Sequence, residues 1–184
     1  MKAPATNSSL DVAYWFIDRA EQDNLYLENE KLQHLLFLSQ KLYAQENDRQ
    51  MLMPCLFLCD EQGFFEPTLK KIFTQGRPFM RLAPLDSAIS EFLENIWHKY
   101  GTLSVTEFKR VVMQMPIYAQ CYRQGERSVV EWDSLVDKSS QYGTMYDSTL
   151  KSAFRKKVLV SQNGPVVVSQ WQPRKVHNKD YLHE

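Results

Sequence analysis

The sequence has few of the residues that mark whole classes of protein. Its 184 residues include only six glycines and eight prolines, which excludes collagen-like and low-complexity chains. It contains no run of about 18 apolar residues, so we expect no membrane span. The opening residues, MKAPATNSSLD, lack the apolar core of a signal peptide, and we therefore expect a cytoplasmic protein.

Cysteine is also scarce. The three cysteines, Cys55, Cys59 and Cys121, are odd in number and too few for a disulfide framework. We interpret them as reduced, buried thiols. Cys55 and Cys59 would share one face of a strand, but no histidine lies nearby in the sequence, and we expect no metal site.

The chain has no net charge, yet its charges are unevenly distributed. Hydrophobic residues make up 43% and aromatic residues 12%, which is enough apolar material for a folded core. Residues 1–66 carry a net charge of −6, and residues 149–184 carry +5. Either the two ends neutralise one another in the fold, which we prefer, or the last part of the chain presents a basic face.

Helical patterns dominate the sequence. Apolar residues at helical spacing, together with capping signals at Ser8 and Ser104, predict four main helices at 9–23, 29–45, 86–100 and 104–115. The second of these is apolar on more than one side, which favours a central position in the fold. The fold class predicted is mainly α (α+β), a single compact helical domain with two small β elements.

Shorter elements are predicted between and after these helices. The run MLMPCLFLCD predicts a short buried strand near 55–59, and Asn163-Gly164 between two valine-rich runs predicts a C-terminal β-hairpin at 158–168. Further helices are expected at 67–76, 117–124, 128–140 and 146–156.

No linker or internal repeat marks a second domain. We expect a disordered leader at 1–8, one domain over 9–171 that includes the hairpin, and a polar, mobile tail at 172–184.

The sequence offers little for catalysis. It contains no Gly-rich phosphate loop, no HExxH and no GxSxG motif. A nucleophile at Cys59 or Cys121 would need a base that the sequence does not identify. His34 lies opposite the apolar stripe of its helix, which predicts a solvent-facing or interface residue. We expect no catalytic residue, cofactor site or metal site.

Two segments combine large apolar side chains with a turn or a helix break. Phe64 and Phe65 stand in a turn before Pro67, and Met115 and Tyr118 flank Pro116. Such residues suit an adaptable partner surface, and these six are our candidate partner-binding residues. They suit a corner of the core equally well.

The helices at 86–100 and 104–115 also have the order of a helix-turn-helix. Lys109, Arg110 and Gln114 on the second helix are the polar residues that could face DNA. Three such residues are equally typical of an ordinary helix face that is exposed to solvent. DNA-binding transcriptional regulation is therefore the alternative function.

The order of segments resembles the Panacea domain, the SocA-like antitoxin family that also includes phage-associated proteins. KLQHLLF at 31–37 resembles the family's "KLQKLLYYAQ" helix, and Trp97, Tyr100, Gly101, Leu103 and Ser104 resemble its "YG-x-LS" element. Gly63, Pro67 and Gly76 resemble its "GPV…Y…G" region. Phe37 and Ile117 stand where the family has Tyr and Trp. The resemblance covers about residues 9–140.

The resemblance implies a non-enzymatic protein. Members of the family are antitoxins that neutralise a cognate toxin by direct contact, and the SocA-like branch delivers its toxin to the ClpXP protease as a proteolytic adaptor. The resemblance does not identify the toxin. It also leaves the oligomeric state open, with a homo-oligomer as one alternative. A membrane partner is not expected, and nucleic acid is the less favoured partner.

Overall fold

The chain divides into two compact units, Met1–Gln141 and Tyr142–Glu184, in a computed structural model. The structure describes residues 2–80, 82, 84–136 and, for the backbone alone, 157–161 and 164–168. The helix expected at 146–156 and the tail at 172–184 lie outside the described residues. The single domain expected over 9–171 stays a prediction.

Helices form most of the first unit, as predicted. They are α1 (Ser9–Gln22), α2 (Asn29–Glu46), α3 (Pro67–Thr74), α4 (Ser87–Tyr100), α5 (Val105–Met113), α6 (Pro116–Tyr122) and α7 (Trp132–Val136). None of the described helices is both long and apolar enough to cross a bilayer.

Side-chain caps fix where several helices begin. Ser8 and Asp11 form the expected capping box at the start of α1, and Ser104 and Glu107 form another at the start of α5. The Asp86 carboxylate accepts a hydrogen bond of 2.8 Å from the backbone N–H of Ala88. Each cap satisfies an N–H group that has no partner within its helix, and so places the helix start.

Helix α2 is the centre of the first unit. It is buried without interruption from Lys31 to Lys41, and it packs against α1, α3, α4, α5, α7 and one strand of the sheet. The central position predicted from its apolar residues is therefore confirmed. Polar side chains on α2 are buried as well, and several of them bond the backbone of neighbouring segments.

A three-stranded antiparallel sheet covers part of α2. Its strands are β1 (Leu58–Asp60), β2 (Gly63–Phe65) and β3 (Ser128–Val129), in the order β2-β1-β3. The buried strand expected near 55–59 is present but lies further along the chain. Phe64 and Phe65, expected in a turn, belong to strand β2. Gly63 begins this strand, and its φ of +119° suits glycine. The helix expected at 128–140 is replaced by β3 and α7 in the described residues.

The C-terminal hairpin is present in the second unit. Strands β4 (Lys157–Ser161) and β5 (Gly164–Val168) pair antiparallel, with Ser161 opposite Gly164 and Lys157 opposite Val168. The hairpin predicted at 158–168 is therefore present, but Gly164, which the Asn-Gly signal predicts in the turn, begins β5 and pairs with Ser161.

Part of the expected leader is ordered. The backbone N–H groups of Ala5 and Thr6 donate to the carbonyls of Met51 (2.9 Å) and Leu52 (2.8 Å), and Thr6 is buried. The prediction of a disordered leader at 1–8 is therefore wrong for these two residues. The composition of residues 1–8 does not indicate that their backbone bonds to a segment more than 40 residues away in the sequence.

Gly101 allows α4 to turn tightly into α5. A Cβ atom at this position would lie 2.5 Å from Cδ2 of Trp97 and 2.6 Å from its carbonyl oxygen. Trp97 cannot move away easily, because it is buried and its Nε1–H donates to the Asp23 carboxylate at 2.8 Å.

We expect Gly101→Ala to lower the free energy of unfolding by about 1–3 kcal/mol, as overpacking of a core does. The measurement is urea denaturation followed by tryptophan fluorescence. Thr102→Ala, at the exposed neighbouring residue, is the control and should change stability by less than about 0.5 kcal/mol. Equal stability of the two variants would show that the turn has room for a side chain.

Candidate functional site: an apolar groove and a buried histidine

The structure buries four of the six candidate partner-binding residues. Phe64 is 1% exposed, Met115 3%, and Phe65 and Tyr118 8% each. Only the two prolines, Pro67 and Pro116, are exposed, each in the first turn of its helix. The exposed apolar anchors expected at Phe64, Phe65, Met115 and Tyr118 are therefore not there.

Aromatic packing explains this correction. The ring of Phe64 stacks on Phe37 of α2 with centroids 3.7 Å apart, and Tyr118 meets Phe64 edge to face at 5.7 Å. The Tyr118 hydroxyl donates to the Asp60 carbonyl at 2.9 Å. The sequence left two interpretations open for these two segments, a partner surface and a corner of the core. The structure shows the corner of the core.

Exposed apolar side chains cluster elsewhere, around a groove formed by α1, α2 and α3. We call this the apolar groove, and its volume is about 180 Å³. Its lining residues are Ile17, Glu21, Leu25, Tyr26, Leu27, Asn29, Leu32, Phe73, Gly76 and Arg77. On its wall Leu25 is 41% exposed and Tyr26 is 84% exposed. Phe79, two residues after Arg77, is 97% exposed but does not line the groove.

The segment that carries Phe79 is held against α1. Arg77 forms ion pairs with Asp18 and with Glu21, the latter at 2.9 Å, and its guanidinium lies 4.9 Å from the centroid of the Tyr14 ring. The Tyr14 hydroxyl also donates to the Pro78 carbonyl. These contacts hold residues 77 and 78 to α1 beside the groove. The sequence pattern does not indicate Tyr26 or Phe79, because the exposure of an aromatic residue in a loop leaves no periodic signal.

His34 occupies a second site, and its position is the opposite of the one that the sequence predicts. It is only 1% exposed, and its Nε2 lies 3.0 Å from the Gln62 carbonyl oxygen. The solvent-facing position predicted for it is wrong, because α2 is buried on every side along this stretch. Burial lowers the pKa of His34 to about 4. The imidazole is therefore neutral near pH 7.

Polar groups surround this histidine. Lys70 forms an ion pair of 2.8 Å with Asp60, and Lys109 donates to the Gln62 side chain. The charges of these two lysines lower the pKa of His34 and that of Asp60 raises it, but burial is the largest effect.

The cysteines show no sign of reactivity. Cys59 and Cys121 are buried and Cys55 is half-buried, and all three are free thiols. Burial raises the pKa of each thiol, that of Cys59 to about 12, so the thiolate is rare at neutral pH. Within the described part of the chain, no group of three His, Cys, Asp or Glu side chains could hold a metal ion.

No family model matches the sequence, and no curated protein and no solved structure matches the chain. The resemblance to the Panacea domain stays an expectation.

We expect Phe64→Ala to destabilise the fold by about 3–5 kcal/mol, the usual cost of removing a buried phenyl ring. Phe79→Ala, at an exposed ring, is the matched control and should cost less than about 0.5 kcal/mol. Thermal and urea unfolding of both variants measure the difference. A Phe64→Ala protein as stable as the unchanged chain would contradict the core position.

His34 should make the fold less stable in acid. In the unfolded chain a histidine takes up a proton near pH 6.5, whereas folded His34 resists protonation until about pH 4. Its contribution is fully present above pH 6.5 and is lost as the pH falls toward 4, approaching roughly 3 kcal/mol. Urea unfolding between pH 4 and 7.5 measures this loss. His34→Gln should lack this part of the pH dependence, and identical slopes for both proteins would contradict the prediction.

Proposed function

We propose that this chain is a protein-binding module that acts as an antitoxin in the cytoplasm, and that it neutralises a partner toxin through the apolar groove. The observation that carries the proposal is the cluster of exposed apolar side chains at the groove. Monomeric proteins rarely leave large apolar side chains exposed side by side unless a partner covers them. The resemblance to the Panacea domain supplies the class of partner.

The groove has the composition of a binding hot spot. Such sites are enriched in tyrosine and arginine, and Tyr26 and Arg77 both line the groove. Arg77 is already held by Asp18 and Glu21, so little side-chain entropy remains to be lost when a partner binds. We expect the toxin to bury a total of roughly 1,200–2,000 Å², the usual area of a specific complex.

The first experiment expresses the open reading frame next to this one in a bacterial host, with and without this protein. Relief of toxicity together with copurification of the two proteins would establish the antitoxin. Rescue that also needs ClpXP would add the adaptor activity that the resemblance implies. Absence of toxicity from every neighbouring frame would contradict the antitoxin and leave a binding module for another partner.

Substitutions then test the groove itself. We expect Tyr26→Ser to weaken toxin binding by about 2 kcal/mol, close to thirtyfold, in a calorimetric titration, while unfolding stays unchanged. Tyr122→Ser removes an aromatic side chain that is 44% exposed and does not line the groove, so it is the matched control. Loss of binding in the control alone would place the toxin elsewhere.

DNA binding through α4 and α5 stays the alternative. Lys109 on α5 already donates to Gln62, and Glu107 completes the cap of the same helix, so the exposed charges of α5 are mixed. A DNA complex would lose affinity steeply with added salt. Filter binding at two salt concentrations distinguishes this alternative from the antitoxin.

A further inference from the structure

The chain holds the walls of the apolar groove in place by itself. The segment between α1 and α2 leaves α1 through Asn24, whose φ of +56° is one that asparagine tolerates at a helix end. The N–H of Leu25 donates to the Ala20 carbonyl at 2.9 Å, which fixes the start of this segment. Arg77, which also lines the groove, is held by its two ion pairs to α1. A groove formed in advance costs a partner little ordering entropy.

The size of the groove fits one ring. Its volume is about 180 Å³, and an apolar cavity of about 150 Å³ holds one benzene molecule. Two side chains of the lining are themselves aromatic, Tyr26 and Phe73. Aromatic rings attract one another in offset or edge-to-face geometry by more than the burial of their area provides. The groove therefore suits a single aromatic side chain.

The rim of the groove carries excess negative charge. Arg77 pairs with both Asp18 and Glu21, so these three side chains together carry one negative charge. The Asp18 side chain is 52% exposed and that of Glu21 62%, which leaves both carboxylates accessible to a further partner. An anionic ligand would have to displace them from Arg77, whereas a cation would add to the existing pairs. The rim therefore favours a cation.

The neighbouring cleft between α1 and α4 has the same sign of charge. The ion pair of Asp18 with Arg77 joins this cleft to the groove. The linings of the cleft and the groove together carry four carboxylates and two arginines, a net charge of −2 in a chain whose formal net charge is zero. Complementary charge on a partner speeds its association and excludes partners of the same sign. The charged residues of the cleft are Asp18, Arg19, Glu91 and Glu94.

We propose that the apolar groove receives one aromatic side chain of the toxin, and that a lysine or arginine beside this side chain on the toxin contacts Asp18 and Glu21. This inference rests on the proposed function, because the toxin supplies the side chain, and it adds the chemistry by which the toxin is recognised. The competing occupant is a second copy of this chain. Two copies joined through the same groove would bring their excess carboxylates together, which disfavours that dimer.

Three small probes with one phenyl ring test the size and the charge of the site without the toxin. They are 2-phenylethylamine, 2-phenylethanol and 3-phenylpropionate, which are cationic, neutral and anionic at pH 7. Each is titrated at low salt into the full chain, labelled with ¹⁵N, while the amide resonances are followed.

We expect the amine to bind in the roughly millimolar range, as suits so small a ligand, and to shift the amide resonances of Leu25, Tyr26, Leu27 and Gly76. The alcohol should bind about threefold more weakly and the acid about tenfold more weakly, since exposed charges contribute modestly. Added salt should reduce these differences.

Equal affinities of the three probes, or tightest binding by the acid, would overturn the proposal. Shifts confined to residues away from the groove would overturn it as well. A dimer that forms as the protein concentration rises, with shifts at the same four amides, would assign the groove to a second copy instead. A failure of the proposed function is distinguishable, because it shows in the coexpression experiment, whereas the preference for the amine is measured on the chain alone.

A variant checks that the rim is responsible for the preference. Glu21→Gln retains an oxygen that can accept from Arg77 but removes the excess negative charge. The amine and the alcohol should then bind equally well. Glu126→Gln is the matched control, because Glu126 is exposed in the turn before β3 and does not line the groove, and the preference should persist in it. A preference for the amine that survives Glu21→Gln would contradict the role of the rim.

Discussion

The burial of α2 on all sides is the constraint on which the rest of the first unit depends. A helix in this position must find partners for its polar side chains inside the protein, and several side chains of α2 bond the backbone of its neighbours. Gln33 accepts from the Glu66 N–H, Gln40 accepts from the Met53 N–H, and His34 bonds the Gln62 carbonyl. The two lysines of this stretch bond carbonyls near the ends of two helices: Lys31 donates to Gly101 after α4, and Lys41 to Leu135 in α7. A cation suits this position because the carbonyl end of a helix carries partial negative charge.

These bonds also show how much of the fold could be predicted. Helical spacing and capping boxes are local signals, so α1, α4 and α5 follow from the sequence to within a few residues. Strands β2 and β3 have two or three residues each, and they exist because β1 pairs with them across the sheet. Pairing between distant segments leaves no periodicity in so short a strand. The same reason explains Thr6, whose burial depends on Leu52.

The candidate site was harder to predict than the fold, because aromatic residues in turns have two possible environments. Phe64 and Phe79 both stand beside breaks in helical pattern, yet one is 1% exposed and the other 97%. The difference arises from what each segment packs against. Phe64 meets Phe37 on the central helix, whereas Arg77 holds the other segment to the polar face of α1 and leaves Phe79 outside. His34 is a related case: its helix position predicts exposure only if the helix has an outer face, and α2 has none along this stretch.

Helix α3 joins the two sites physically. Lys70 and His34 line a cavity of about 80 Å³, and Phe73, about one turn after Lys70, lines the apolar groove. Asn29 of α2 lines both and fastens α3 through the Lys70 carbonyl. A movement of α3 would therefore change the cavity and the groove together. The Asn29 bond to the Lys70 carbonyl, at 2.9 Å, opposes such a movement because it holds α3 to the central helix at the point where the two sites meet.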